Sequence, residues 1–332
     1  MTARQGPHPL PDVTSGEPPA SHGEALATLL RNVESVFRGK RETVELAVVA
    51  LLARGHLLFE DVPGVGKTTL ARAIARSLAL DFKRVQFTSD MLPSDVIGTT
   101  ILDSSEARFE FVPGPLFTNV LLADEINRTP PRTQSALLEA LNERQVTVDN
   151  RTYPLDEPFF VMATQNPHEH HGTYPLPESQ MDRFLLRLAI GYPAKEVERE
   201  LLLTHGHDDP VQKLGVAMDG ETLLRLQSKV ATVKVAPNLI DYLMRVIELT
   251  RESPRLELGV STRGAIALFR AAQAHALLKG RDFCLPDDIK LLAAPALCHR
   301  VSVRAERGRI GREREQANSI LREILDSIPI PL

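Results

Sequence analysis

The chain carries Gly64-Val65-Gly66-Lys67-Thr68-Thr69 between an apolar stretch, His56 to Glu60, and a helical one, Leu70 to Leu78. A glycine turn between a strand and a helix is the setting of a phosphate loop. Small residues let the backbone N–H groups wrap an anion, and the start of the helix adds its positive dipole end. In that arrangement Lys67 reaches the β- and γ-phosphates of a nucleoside triphosphate, and the Thr68 hydroxyl is offered to Mg²⁺. The expected nucleotide-contacting segment is Asp61, Pro63, Gly64, Val65, Gly66, Lys67, Thr68 and Thr69. Asp61 stands where the phosphate-loop pattern opens with glycine, so the pattern is intact only in its phosphate-contacting half.

A second element decides the chemistry. Val120-Leu121-Leu122-Ala123-Asp124-Glu125 is an apolar strand ending in two acids, a Walker B pattern. Asp124 would hold the Mg²⁺ shell and Glu125 would polarise the attacking water, which makes ATP hydrolysis the expected reaction. A third strand, Val161 to Gln165, presents Asn166 at its tip before Pro167. Alone this reads as a turn-forming Asn; in order with the other two elements it reads as a sensor that bridges water and γ-phosphate. Arg183, in Met181-Asp182-Arg183-Phe184, is either an arginine finger on a neighbouring subunit's γ-phosphate or an intrachain partner of Asp182 or Glu178. Arg263 opens a later helix, which Ser261 or Thr262 can cap, and would reach back to the γ-phosphate as a second sensor. Arg128 and Arg132 either contact a neighbour or the γ-phosphate, or are solvated. The His168-Glu169-His170-His171 run lacks a second ligand cluster at zinc-type spacing and reads as a loop, and His205 to Asp209 reads as a linker.

The elements that must position these residues alternate. Strands at His56–Glu60, Phe82–Phe87, Val120–Ala123 and Phe159–Ala163 are separated by helices or loops, which predicts a parallel sheet covered on both faces. Helices are expected from Ser21, with a Ser21/Glu24 capping box, at Val44–Leu52, at Leu70–Leu78, and at Pro130–Glu143 with Thr129 as N-cap. After Tyr192-Pro193 everything reads as helix: 195–204, 219–230, 237–250, 262–279 and 286–297. The expected organisation is a flexible Pro-rich tail over 1–22, a sheet domain over 23–193 and a helical domain over 194–332. The Arg-rich stretch Arg300 to Arg314, balanced by Glu306 and Glu313, reads as a solvated face.

Composition narrows the class. With 43% hydrophobic and 25% charged residues the chain is globular rather than disordered or fibrous. A formal charge of −4 gives no global field for nucleic acid or an anionic membrane. Cys284 and Cys298 are too few for a disulfide framework and read as buried small hydrophobes in a reducing compartment. No apolar run is long enough to span a bilayer, and the expected location is the cytoplasm.

The chain closely resembles the MoxR family of AAA+ ATPases. The resemblance rests on Glu60–Thr69, Gln86-Phe87-Thr88 with Leu92-Pro93-Ser94-Asp95, Phe111–Phe117, Ala123–Arg128, Thr133–Leu138, Glu143–Val148, Ala163–Pro167, and Gly172–Glu178 through Arg183-Phe184. Asp61 in place of the loop's first glycine occurs in that family, whereas Ser261-Thr262-Arg263-Gly264 stands where it more often reads Ser-Pro-Arg-Ala. The resemblance implies an αβα AAA+ domain followed by a helical lid, assembled into a ring, usually a hexamer, with sites between subunits. It implies an insertion near Asp90 to Glu110 and a hairpin near Val146 to Leu155, both facing the pore or a client. It also implies a chaperone-type ATPase using ATP and Mg²⁺ to remodel, mature or activate partner proteins. Those partners often carry a von Willebrand A domain, and some members promote metal cofactor insertion. A magnesium-chelatase-like motor subunit or a DNA-acting AAA+ motor are the alternatives that share this engine.

Overall fold

The structure, a computed structural model, describes residues 22–103, 105, 108–166, 173–204, 209–304 and 313–331. Ser21, the tail before it, and the His168–His171 run lie outside the described residues. Two helices open the fold. In α1 (His22–Val36), Ala25, Leu26, Leu29 and Val33 are buried at helical spacing. In α2 (Arg41–Leu52) every residue from Val44 to Leu52 except Glu45 is buried, so this helix is covered all round, by α1 and by later helices of the chain.

The sheet domain continues with β1 (Leu57–Glu60), α3 (Lys67–Ser77), β2 (Phe82–Gln86), α4 (Pro93–Ile97), the hairpin β3 (Gly98–Asp103) and β4 (Arg108–Pro113), and β5 (Val120–Asp124). It then runs through α5 (Pro131–Glu143), the hairpin β6 (Gln145–Val148) and β7 (Arg151–Pro154), β8 (Phe160–Gln165), α6 (Glu178–Met181) and β9 (Leu186–Leu188). Five strands form one parallel sheet in the order β2-β5-β8-β1-β9. Glu60 lies beside Gln165, and Ala123 beside Ala163, so β1, β5 and β8 all release their chains at one edge. Alternation divides the sheet between two cores. Leu57, Phe59, Leu122 and Met162 pack with α1 to α3, while Leu58, Leu121, Val161 and Ala163 pack with Leu137 and Leu138 of α5.

The helical part comprises α7 (Lys195–Thr204), α8 (Gly220–Val230), α9 (Pro237–Glu252), α10 (Thr262–Leu278), α11 (Pro286–Leu297) and α12 (Glu313–Ser327), with a short antiparallel ribbon of β10 (Leu256–Leu258) and β11 (Ser302–Val303). Leu226, Leu268, Ala271 and Leu292 from these helices join the same core as α2, so no water-filled seam separates the two parts there. Cys284 and Cys298 are free and buried, as expected.

Several expectations are corrected. Thr129 does not cap α5: Pro130 takes that place, and the Thr129 hydroxyl is buried without a partner. The region after Tyr192 is not purely helical, since β10 and β11 pair there. Strand β9 and helix α12 add to the expected elements. Three residues of Leu-Arg-Leu carry no usable period, whereas the buried Ala317, Ile320, Leu321 and Leu325 of α12 form a helical stripe that was available to read. Arg300 is buried rather than solvated. The β6–β7 hairpin closes on Asp149 and Asn150, both with positive φ (48° and 61°), as a two-residue primed turn demands.

His56 ties three elements together at the entry to β1. Its Nδ1 accepts the Val161 N–H at 3.0 Å, which leaves the ring proton on Nε2 to be donated to the Leu141 carbonyl at 3.1 Å. Burial depresses its pKa to about 4, opposed by the Leu141 bond and aided by Arg144. The folded ring is neutral while the unfolded one protonates near the ordinary value of about 6.5, so the unfolded chain binds the extra proton as pH falls. The contribution is therefore full above about pH 6.5 and lost towards about pH 4, amounting to at most about 3 kcal/mol. In denaturant titrations at stepped pH, the stability advantage of wild type over His56→Gln should be constant above pH 7 and shrink through this window.

Candidate active site

β1 feeds the chain into a turn whose glycines adopt left-handed backbone, with φ +82° at Gly64 and +93° at Gly66. Gly66 caps α3, whose first residue is Lys67. A Cβ on Gly66 would come to 3.0 Å from the Phe37 ring, whereas Gly64 faces open space, so the turn forms a cradle free of side chains. The Lys67 ammonium donates to the Asp61 carbonyl at 3.0 Å. Burial pulls its pKa down, and the charges of Asp61, Asp124 and Glu125 oppose this.

A cleft of about 330 Å³ lies over this turn. Asp61, Pro63, Gly64, Gly66, Lys67 and Thr68 form its floor, and Asp124, Glu125 and Asn166 reach it from the ends of β5 and β8. Asp124 is buried; its Oδ1 accepts the Thr164 hydroxyl at 3.1 Å and its Oδ2 accepts Arg84 Nε at 2.7 Å. The same Thr164 oxygen accepts the Glu125 N–H at 2.9 Å, which orients the hydroxyl proton towards Asp124. Glu125 sits at φ +57°, a costly conformation for a residue with a Cβ and one that clusters at functional sites. Its carboxylate accepts Gln86 Nε2 at 2.7 Å and pairs with Arg128 Nε at 2.9 Å. Gln165, beside Asn166, donates to Glu60 at 3.1 Å and closes the edge between β8 and β1.

Asp61 does something the sequence did not suggest. Its carboxylate accepts its own following N–H, that of Val62, at 2.8 Å, and turns its other oxygen to the N–H groups of Ile190 and of Gly191, the latter at 2.7 Å. Lys40 holds the next carbonyl, that of Tyr192, at 2.8 Å. The residue in the glycine position thus fastens the turn to the segment leading into α7.

Two of the expected loop residues do not line the cleft: Val65 is buried in the core and Thr69 follows on α3. Nor do Arg183 and Arg263. Arg183 pairs with neither Asp182 nor Glu178 through its guanidinium but donates to the Leu138 carbonyl of α5. Arg263, 60% exposed, lies 3.7 Å from Asp182. Arg84, Gln86, Thr164 and Gln165 line the cleft unannounced. Only the pairing of β2 with β5, which sets Gln86 beside Asp124, brings the first two there.

A side-chain-free turn at a helix start, a half-buried ammonium, and Thr68 and Asp124 lining the same cleft fit a nucleotide with a divalent cation. Together with the parallel sheet and helical lid they define an AAA+ ATPase. The model of the ATPase family associated with various cellular activities (AAA) matches residues 56–186, and that of the AAA lid domain matches 248–324. The uncharacterized protein YeaC of Bacillus subtilis is 48% identical over 92% of this chain and 95% of its own. Chaperone MoxR1 of Mycobacterium tuberculosis is 42% identical over 86% of this chain and 79% of its own. A crystal structure of a Cytophaga hutchinsonii protein superposes with a TM-score of 0.84 at 36% identity, covering 93% of this chain and 96% of that one. The chain belongs to the MoxR family of AAA+ ATPases.

Replacing Asp61 by Ala removes the acceptor of three backbone N–H groups. Asp61→Ala should lose about 2–4 kcal/mol of stability, and the amides of Ile190 and Gly191 should lose protection in hydrogen exchange.

Proposed function

We propose that the chain hydrolyses Mg-ATP in this cleft and, as the subunit of a ring, uses the cycle to remodel, mature or activate a client protein. The observation that carries the reading is the convergence of Lys67, Thr68, Asp124, Glu125 and Asn166 on one cleft at the sheet's carboxyl edge. Lys67 leaves the Asp61 carbonyl for the β- and γ-phosphates, and the N–H groups of the Gly64–Thr68 turn take the remaining charge. Thr68 and Asp124 would hold Mg²⁺, which would supply positive charge against the charge developing in phosphoryl transfer. Glu125, released from Gln86 and Arg128, takes the proton of the attacking water, which Asn166 orients.

Neither Arg183 nor Arg263 lines the chain's own cleft: Arg263 lies 3.7 Å from Asp182, and Arg183 donates to the Leu138 carbonyl. In this reading Arg183 is the finger on the neighbouring subunit's γ-phosphate, and the exposed Arg263 is assigned to the same boundary in place of its own γ-phosphate. The chaperone role is carried over from the name of the M. tuberculosis relative, and a von Willebrand A partner, a hexameric ring and metal cofactor insertion follow from the family resemblance. Among the described residues no helix is long and apolar enough to cross a membrane.

Lys67→Ala should abolish binding of a fluorescent ATP analogue. Glu125→Gln should bind it normally and lose turnover by about 10²–10⁴-fold; full turnover in this variant would remove Glu125 as base. Specific activity of the wild type should rise with protein concentration, and that rise should vanish in Arg183→Ala.

A further inference from the structure

Arg300 follows α11 and heads a stretch whose charge pattern suggests a solvated face, yet only 3% of its side chain is exposed. A guanidinium carries five N–H donors, and all of these find acceptors. Nε donates to Asp182 Oδ1 at 2.6 Å. One terminal nitrogen donates to the carbonyls of Asp182 at 3.1 Å and Phe184 at 2.8 Å. The other reaches the carbonyls of Leu185, at 3.0 Å, and of Ala296, with His299 Nε2 at 2.9 Å. Four of these acceptors lie in the turn 182–185, which carries Arg183.

That turn is already closed by local bonds. Arg183 N–H donates to Gln180, Phe184 N–H to Met181 and Leu185 N–H to the His56 carbonyl, at 3.2, 3.1 and 2.8 Å. Burying a charge to close it again is expensive, so the arrangement does more than close a loop. Gly264 on α10 leaves room for Val260 and for the arginine stem: a Cβ there would stand 2.6 Å from Val260 Cγ1 and 2.9 Å from Arg300 Cδ. Asp182 offers Oδ1 to Arg300 from within, while Oδ2 lies 3.7 Å from the exposed Arg263. One carboxylate thus links the buried lid arginine to Arg263, and the Asp182 carbonyl that Arg300 also holds belongs to the peptide leading into Arg183, whose own guanidinium donates to the Leu138 carbonyl.

We propose that Arg300 is a positioning residue that sets Arg183 and Arg263 for the neighbouring subunit's nucleotide, locking the lid to the 182–185 turn so that the two move as one unit. The proposal rests on the reading of Arg183 as an inter-subunit residue. Arg300 touches no reacting atom. It fixes the peptide plane that enters Arg183 and shares the carboxylate that faces Arg263. Any lid displacement is then delivered to the arginines at the subunit boundary.

The test mixes subunits. Arg300→Lys keeps the charge but has three donors in place of a planar five-donor fork. Alone it should bind a fluorescent ATP analogue within about twofold of wild type and lose turnover by about tenfold or more, a part of the 10³–10⁵ that an arginine finger supplies. Mixed with Glu125→Gln subunits, whose arginines are intact and whose sites are dead, it should regain turnover. Mixed with Arg183→Ala it should not. Wild-type turnover in Arg300→Lys overturns the proposal. So does failure of the Glu125→Gln mixture to recover when the control mixture of Arg183→Ala with Glu125→Gln does, because Arg300 would then serve only its own subunit. If that control itself fails, the inter-subunit reading of Arg183 falls first and the proposal with it. Gly264→Ala, which crowds both Val260 and the Arg300 stem without removing any charge, should show the same pattern of rescue and carries the test if Arg300→Lys does not fold.

Discussion

Everything in this molecule depends on a parallel sheet that must be buried on both faces. Parallel strands cannot be joined by tight turns, so each return crosses a face of the sheet and all chains leave at the same edge. In the order β2-β5-β8-β1-β9 the ends of β1, β5 and β8 become neighbours although about sixty and forty residues separate them along the chain. The phosphate turn, the acid pair and Asn166 meet there because hydrogen-bond register leaves them no other place.

Side chains that bond to backbone of distant elements hold that edge in shape. His56 joins the start of β1 to β8 and α5, Thr164 joins Asp124 to the Glu125 amide, and Asp61 joins the phosphate turn to residues 190 and 191. Each satisfies polar groups that water cannot reach, and each is therefore costly to leave half-made. The positive φ of Glu125 is tolerated because the Thr164 hydroxyl and the β5–β8 pairing over-determine that backbone.

The lid is coupled to the sheet domain in two ways. Apolar residues of α8, α10 and α11 complete the burial of α2, and Arg300 fills the polar acceptors of the 182–185 turn. A hinge that opened a wide gap at α2 would expose a continuous apolar surface, so the motion available to this architecture is that of packed bodies shifting together.

How much of this was legible varies with the range of the interaction. Gly64 to Thr68, the Asp124-Glu125 pair and Asn166 were recognisable because local spacing encodes a phosphate turn and strands tipped with polar residues, and the alternation of strand and helix already implied a parallel sheet. The helices of the lid were legible for the same reason, their apolar period being local. The strand order, the place of Arg84 and Gln86 beside the acids, the clasp made by Asp61, the burial of Arg300 and the position of Arg263 outside the chain's own cleft were not. Each depends on which distant backbone groups need a partner once the sheet has closed, and that demand exists only in three dimensions. By itself the sequence determined the engine's parts and their order along the chain; the tertiary structure decided which polar groups lock those parts together, because pairing across 40 to 130 residues leaves no period to read.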